Sequence, residues 1–149
     1  MDVQNIYYDG RIKIPYTWYV GETGSRFLIA LRDNKEIWGN QCPQCKKVFV
    51  PPMKTCGECF VPTGEWLKLA DTGTVESFTV VHYENGVAKR PLPVIYGLIK
   101  IDGASGSLLH FIGDVKPEKV KIGMRVKAVF AEKRGGTILD ISHFAPVKG

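Results

Sequence analysis

Apolar and polar positions along this chain change period near residue 64. Before that point the one helical stripe is Phe27, Leu28 and Leu31, at i, i+1 and i+4. Ser25 is placed to cap a helix running through Asp33, and Asn34 to end it. Residues 37–41, Ile-Trp-Gly-Asn-Gln, then predict a short strand. After residue 64 the period becomes two. Residues 74–83 read as a strand with Val75, Ser77, Thr79 and Val81 on one face and Glu76, Phe78, Val80 and His82 on the other. Gly73 marks a bulge or bend ahead of it. Residues 94–102 form the second strand, with Gly97 at a close backbone approach, and residues 103–106 turn into a third at 107–113. A turn or short helix follows at 116–121. Gly123 then opens a fourth strand at 125–133, and Arg134-Gly135-Gly136 turns into a fifth at 137–143. Five antiparallel strands with a non-strand insert between the third and fourth predict an OB-type Greek-key barrel.

Between the two periods lie all four cysteines, within 18 residues: Cys42-Pro-Gln-Cys45, a ten-residue spacer, and Cys56-Gly-Glu-Cys59. A C-x-x-C hairpin lets two sulfurs converge on one cation at about 2.3 Å, and two such knuckles complete a closed tetrahedron. Within the spacer, residues 47–50 can form a strand that Pro51-Pro52 ends. Lys46, Lys47 and Lys54 surround the thiolates, where positive charge is favourable. Two disulfides fit a cytoplasmic chain poorly, and a redox pair would want a βαβ context that is absent. Iron in a rubredoxin-like site suits the same tetrahedral sulfur set. The pattern therefore predicts a structural zinc on Cys42, Cys45, Cys56 and Cys59, with no open position for a reacting water. The fold class is mainly β: an N-terminal helix, a rubredoxin-like zinc ribbon, then the five-stranded barrel. The corresponding divisions are 1–41, an arm and helix; 42–63, the ribbon; and 64–149, the barrel, with a core expected to be separate from the ribbon's.

Composition adds limits. A chain of 149 residues with 44% hydrophobic and 23% charged side chains has the make-up of a folded protein. Its apolar runs are too short to cross a bilayer, and its first residues lack a signal peptide's basic and apolar blocks. A cytoplasmic location is expected, with no membrane partner. The formal net charge of +5 falls to nearer +3 once four thiolates and a divalent ion are included. With no run of like charge, this suits a phosphate-bearing small ligand or an acidic protein better than DNA.

In order, the helix, Cys42-x-x-Cys45, Phe49-Val50-Pro51-Pro52, Cys56-x-x-Cys59, Trp66 and the strand Gly73-Thr74-Val75-Glu76-Ser77-Phe78-Thr79 resemble one known family. It is the zinc-ribbon plus OB-fold class of "domain of unknown function" proteins found beside thiolase-like enzymes. Pro93-Val94-Ile95-Tyr96-Gly97 and Ile122-Gly123-Met124-Arg125-Val126 sit where that family's later strands fall. The likeness covers about residues 20–145. Lys46 stands where many ribbons have glycine, which would tighten or reshape that knuckle. The resemblance implies a noncatalytic accessory subunit of a thiolase-type acyltransferase complex. It would dock on a thiolase-fold catalytic subunit as a hetero-oligomer and help to hold or gate CoA or an acyl-CoA thioester. The arm Pro15-Tyr16-Thr17-Trp18-Tyr19 also looks like that of small subunits of degradative thiolases, one of which serves an aromatic substrate, benzoylsuccinyl-CoA.

Candidate residues follow from this. Adjacent Lys89 and Arg90, in the loop where OB folds often take ligands, suit a 3′-phosphate or diphosphate. Lys133 and Arg134, at another hairpin, are a second pair. Trp66, Phe49 and Phe78 read as core. His82, His110 and His143 read as surface or partly buried side chains near strand ends, and no nucleophile motif is present, so catalysis by this chain alone is not expected. Aromatics on residues 1–24, with Val48, Phe49, Val50 and Met53 of the ribbon, offer apolar anchors for a partner. A single-stranded nucleic-acid binder is the alternative. It requires exposed aromatics and a basic groove on the second and third barrel strands, which carry one tyrosine, one phenylalanine and one lysine.

Overall fold

The helix starts before its apolar stripe requires it to. In the computed structural model, which describes residues 15–83 and 90–147, α1 spans Gly21–Asn34 and buries Phe27, Ala30 and Leu31. Ser25 is therefore inside the helix and caps nothing. Gly21, at φ +78° with open space around it, lets the chain turn into the helix five residues earlier, after Val20. At the other end Lys35 takes the left-handed conformation and its N–H closes on the Ala30 carbonyl, so the helix ends at Asn34 as expected. Tyr7, Tyr8 and Lys89 lie outside the described residues.

A three-stranded sheet follows, in the order β2-β1-β3: β1 Trp38–Gln41, β2 Val48–Phe49 and β3 Trp66–Lys68. Gly39 sits where the strands crowd, since a Cβ there would lie 2.8 Å from the Phe49 carbonyl oxygen. The three-residue β3 is too short to show a period of two, which is why the hydrophobic pattern misses it.

Five further strands close a barrel in the order β4-β5-β6-β8-β7: β4 Thr72–Val81, β5 Val94–Ile101, β6 Ser107–Ile112, β7 Arg125–Phe130 and β8 Ile141–Pro146. The architecture is mainly β with one helix, a clustered-cysteine ribbon and an OB-like barrel, as the periods predict. Three details differ. The strands are not all antiparallel: β6 and β8 close the barrel in parallel at Ile112 and Phe144. The β4 bulge lies between Val75 and Ser77, not at Gly73, which pairs regularly with Ile101 and Val126. That extra residue switches the faces, so Val75 points into the core but Phe78 and Val80, rather than Ser77 and Thr79, continue its packing. Finally, β8 begins at Ile141 instead of residue 137. The buried Asp140 carboxylate accepts N–H groups from Gly135, Gly136 and Thr137, folding residues 138–140 into a single 3-10 turn ahead of the strand. The expected turn in the insert is the 3-10 turn Pro117–Lys119.

One core serves the whole molecule. Phe27, Leu31 and Ile37, the ribbon's Val48 and Val50, and the barrel's Val75, Ile99, Val126, Ile141 and Phe144 belong to one buried cluster. The barrel's core is therefore not separate from the ribbon's. Ser105, in the turn between β5 and β6, binds Val48 twice: its Oγ accepts the Val48 N–H at 2.9 Å and its own N–H donates to the Val48 carbonyl at 2.8 Å. Among the described residues no helix is long and apolar enough to cross a membrane.

Candidate metal centre and ligand cleft

The two C-x-x-C segments fold into matching knuckles. Cys42 N–H donates to Lys47 O and Lys46 N–H back to Cys42 O; Cys56 N–H donates to Val61 O and Phe60 N–H back to Cys56 O. Each knuckle turns on a residue in the left-handed region, Lys46 at φ 60° and Phe60 at φ 55°. Lys46 thus adopts the conformation a glycine would supply, at a cost of about 1 kcal/mol or more for a residue with a Cβ, and the knuckle keeps its shape. The four sulfurs lie within 4.8 Å of one another and are not paired as disulfides. Cys45 Sγ and Cys56 Sγ are 3.8 Å apart, close to the edge of roughly 3.8 Å that a tetrahedron with ~2.3 Å zinc–sulfur arms requires. Cys42 and Cys56 are buried, and Cys45 and Cys59 close the outer side.

Thiol acidities show why the cage calls for a cation. Burial, reinforced by hydrogen bonding among the thiols, pushes Cys59 up to about 12. For Cys42 burial opposes ionisation, but backbone N–H groups of Cys45 and Gln44, together with hydrogen bonds from the Cys45 and Cys56 side chains, outweigh it and bring the thiol down to about 7. Cys42 is drawn toward the thiolate while Cys45 and Cys59 are pushed the other way, the response of acids sharing one small volume. A divalent ion removes that conflict. Across the rim Lys47 pairs with Glu58, joining the two knuckles, and that carboxylate raises the lysine's pKa.

A second feature is a cleft of about 790 Å³ at one end of the barrel. Arg90, Pro91 and Pro93 form one wall, residues 113–117 the other, and Phe111 and His143 the floor. The Arg90 guanidinium lies 3.8 Å over the Phe111 ring and donates to the Ser142 carbonyl at 3.3 Å. His143 Nε2 lies 3.0 Å from Asp114 Oδ2. Gly113 keeps the floor open, because a Cβ there would stand 2.5 Å from the His143 ring. Beneath, His110 is buried rather than placed at a strand end. Its Nδ1 accepts the Phe111 N–H at 2.9 Å, so Nε2 carries the proton toward the Ile138 carbonyl at 3.1 Å. Burial, then the nearby Arg90 charge, holds this imidazole's pKa below its usual range.

Of the four expected cations, the three among the described residues are not brought together. Arg90 lines the cleft. Arg134 faces elsewhere, donating to the carbonyls of Arg32 at 2.6 Å and Ala131 at 2.9 Å and so pinning the helix end to the barrel, while Lys133 is exposed on that loop. Sequence reasoning missed Phe111, Asp114, Lys116 and His143 as cleft residues, for their positions converge only when the barrel closes. Of the expected core aromatics, Phe78 packs on the core, whereas Trp66 is half-buried under the Arg26 guanidinium at 4.2 Å. On β5 and β6, Tyr96 stacks on Phe111 at 4.9 Å and the paired Leu98 and Leu109 are exposed; Lys100 is the one cation on those two strands.

Three exposed aromatics follow one another in the segment ahead of the helix. Tyr16, Trp18 and Tyr19 are 75%, 67% and 73% exposed, and Ile29 is exposed on the helix, sharing a groove with Tyr19. That groove, of about 520 Å³, is also lined by Arg26 and Trp38. The ribbon contributes Met53 and Phe60, not Val48 and Val50, which are buried in the common core.

Residues 66–131 match the family described as ChsH2, C-terminal OB-fold domain. A DUF35 domain-containing scaffold protein of Methanocaldococcus jannaschii is 33% identical over 93 residues, which cover 62% of this chain and 65% of that one. The match thus spans just under two thirds of that relative's length. A solved chain described as Ltp2-ChsH2(DUF35) aldolase superposes with a TM-score of 0.67 over 87% of this chain and 98% of its own; at 21% identity the likeness is one of fold. A DUF35-family protein of Sulfolobus solfataricus reaches a TM-score of 0.60 at 29% identity, over 73% of this chain and 78% of that one. The resemblance to a zinc-ribbon plus OB-fold class of "domain of unknown function" proteins holds.

Proposed function

We propose that this chain is a cytoplasmic, noncatalytic accessory subunit of a thiolase-type acyl-CoA enzyme, with zinc holding its ribbon and the barrel cleft receiving part of the CoA. The exposed Tyr16, Trp18, Tyr19 and Ile29 carry the reading. Three large exposed aromatics within four residues of chain match the anchors that dominate protein interfaces. The scaffold name of the Methanocaldococcus relative and the pairing of a like-folded chain with an aldolase support the same role. Zinc fits the cage because four sulfurs at these separations leave no room for a fifth ligand; it supplies the charge that lets all four thiols ionise.

Within the cleft, Arg90 is held flat by Phe111 and can spend its remaining donors on a phosphate, while Lys116 adds charge from the opposite wall. Pro91, Pro93 and Val94 supply apolar surface for the rest of the ligand. The catalytic subunit would bring the nucleophile and bases. The apolar rather than cationic face of β5 and β6 favours a protein or thioester partner over single-stranded nucleic acid.

The test is to tag the chain in its source organism, identify what co-purifies, and measure CoA affinity of the complex with and without Arg90→Ala. Recovery of a thiolase-fold enzyme, with CoA affinity lowered about tenfold at low salt, less at high salt, and the complex intact, is the expected result. Turnover of an acyl-CoA by the isolated chain, or a complex lost while CoA affinity is kept, overturns it.

A further inference from the structure

Three buried polar or charged side chains stand out among the described residues: Asn40, His110 and Asp140. His110 and Asp140 order the barrel's own loops. Asn40 lies in the ribbon half, 2% exposed, and its side-chain hydrogen bonds go to Met53 and Thr63 rather than to a cysteine. Its amide is nonetheless fully engaged. Nδ2 donates to the Met53 carbonyl at 2.7 Å and to Thr63 Oγ1 at 2.7 Å, and Oδ1 accepts the Met53 N–H at 3.1 Å. Thr63 Oγ1 in turn donates to the Met53 carbonyl.

The placement of these partners is what matters. Asn40 is on β1, two residues before Cys42, in the strand that delivers the first knuckle. Met53 stands three residues ahead of Cys56 and Thr63 four beyond Cys59, so they are the two ends of the second knuckle. Hydrogen bonds inside each knuckle fix its two sulfurs relative to each other but leave the distance between the pairs open. One buried side chain spans that distance with three hydrogen bonds. The flanking backbone bonds, Gln41 N–H to Glu65 O and Gly64 N–H to Gln41 O, tie the end of β1 to the chain leaving the second knuckle, whereas the loop of residues 51–54 that enters it is held to β1 by the Asn40 side chain.

We infer that Asn40 is a positioning residue for the metal cage, setting the spacing between the two cysteine pairs and with it the affinity for the ion. This rests on the reading of the cage as a metal site. The chemistry is selective: aspartate keeps the size but offers no donor to Met53 O or Thr63 Oγ1, and a buried amide partner left unpaired costs the full desolvation of that group. Outer groups that orient ligands typically change metal affinity 10–100-fold when removed.

The experiment uses the full chain. Zinc is removed, restored at one equivalent, and its affinity measured by competition with a chromophoric chelator for the native chain, Asn40→Ala and Asn40→Asp. Denaturation of the metal-free forms is measured beside it. Affinity lowered by about 10–100-fold in both variants is expected, so that the metal-loaded form loses more stability than the metal-free form does. Native affinity in the variants, with metal-free and metal-loaded forms destabilised equally, would make Asn40 an ordinary structural residue and overturn the inference. Should the Asn40 variants not fold, Thr63→Val deletes one of the three partners while keeping the side chain's shape. A smaller loss of affinity in the same direction supports the inference, and an unchanged affinity overturns it. A native chain that binds no stoichiometric zinc defeats the metal reading itself, a result separate from the others.

Discussion

The cysteine cage and the barrel cleft gather charge in opposite ways. In the cage, four acidic groups from 18 residues are crowded until one thiol is drawn down to about 7 and another pushed up to about 12, and the imbalance has no internal remedy. In the cleft, Arg90 lies against the electron-rich Phe111 face and His143 against Asp114, so much of the charge is answered before any ligand arrives. A site left unbalanced demands its ion in order to be stable; a site balanced from within can bind and release. This contrast suits a permanent structural metal in one place and an exchanging ligand in the other.

The largest expected effect tests the first half of that contrast. Cys42→Ser or Cys59→Ser should abolish stoichiometric zinc by elemental analysis. Because Val48 and Val50 share the barrel's core, the loss should reach the whole molecule, at about 4 kcal/mol or more. In a thermal melt that is a midpoint lowered by roughly 8–16 °C for a chain of this size. An unchanged midpoint would mean that the ribbon and barrel fold independently after all.

A smaller effect is expected from Gly113→Ala. The new methyl would stand 2.5 Å from the His143 ring, and shifting that ring should cost about 1–3 kcal/mol while narrowing the cleft. Chemical denaturation measures the first and ligand affinity the second. A variant as stable as the native protein would show that the floor of the cleft gives way easily.

The mildest test is pH. Burial depresses the folded-state pKa of His110 below its unfolded value, so the unfolded chain binds the extra proton first. The neutral ring's contribution is complete above about pH 6.5 and is lost as the pH falls through that value toward the folded pKa, with a slope of at most about 1.4 kcal/mol per pH unit. The charges of Arg90 and His143 add to the burial penalty, and the hydrogen bonds to the Ile138 and Phe111 backbone oppose it. His110→Gln should flatten the stability profile between pH 6.5 and 5 when unfolding is followed by urea titration. A native slope retained in the variant would assign it to other groups.

Elements whose cause is local were legible in the sequence, and those whose cause is distant were not. The cysteine spacing is a short-range instruction, and it placed all four sulfurs in one cage. β5 and β6 follow directly from alternation. By contrast, the bulge at Glu76 flips the second half of β4 without a glycine or proline to signal it, and β8 starts late because Asp140 captures three N–H groups of the preceding loop. Asn40 looks like an ordinary strand-end residue until Met53 and Thr63 arrive beside it. Arg134 reads as half of a cationic pair, yet its donors go to a helix end 102 residues away in sequence.

The double contact between Val48 and Ser105 has a consequence for how such a chain can be cut or recombined. A ribbon joined only by a linker could be exchanged between barrels like a cassette. Here the Ser105 N–H and hydroxyl at the rim of the barrel are satisfied by the ribbon's own backbone, and Val48 and Val50 fill part of the space beneath. A fragment beginning at residue 64 would inherit an orphaned N–H and a gap in its interior, and a graft would have to reproduce both sides of that seam. Inheritance in this molecule is therefore joint: a change on either side of residue 63 has to be compatible with the other before it can persist.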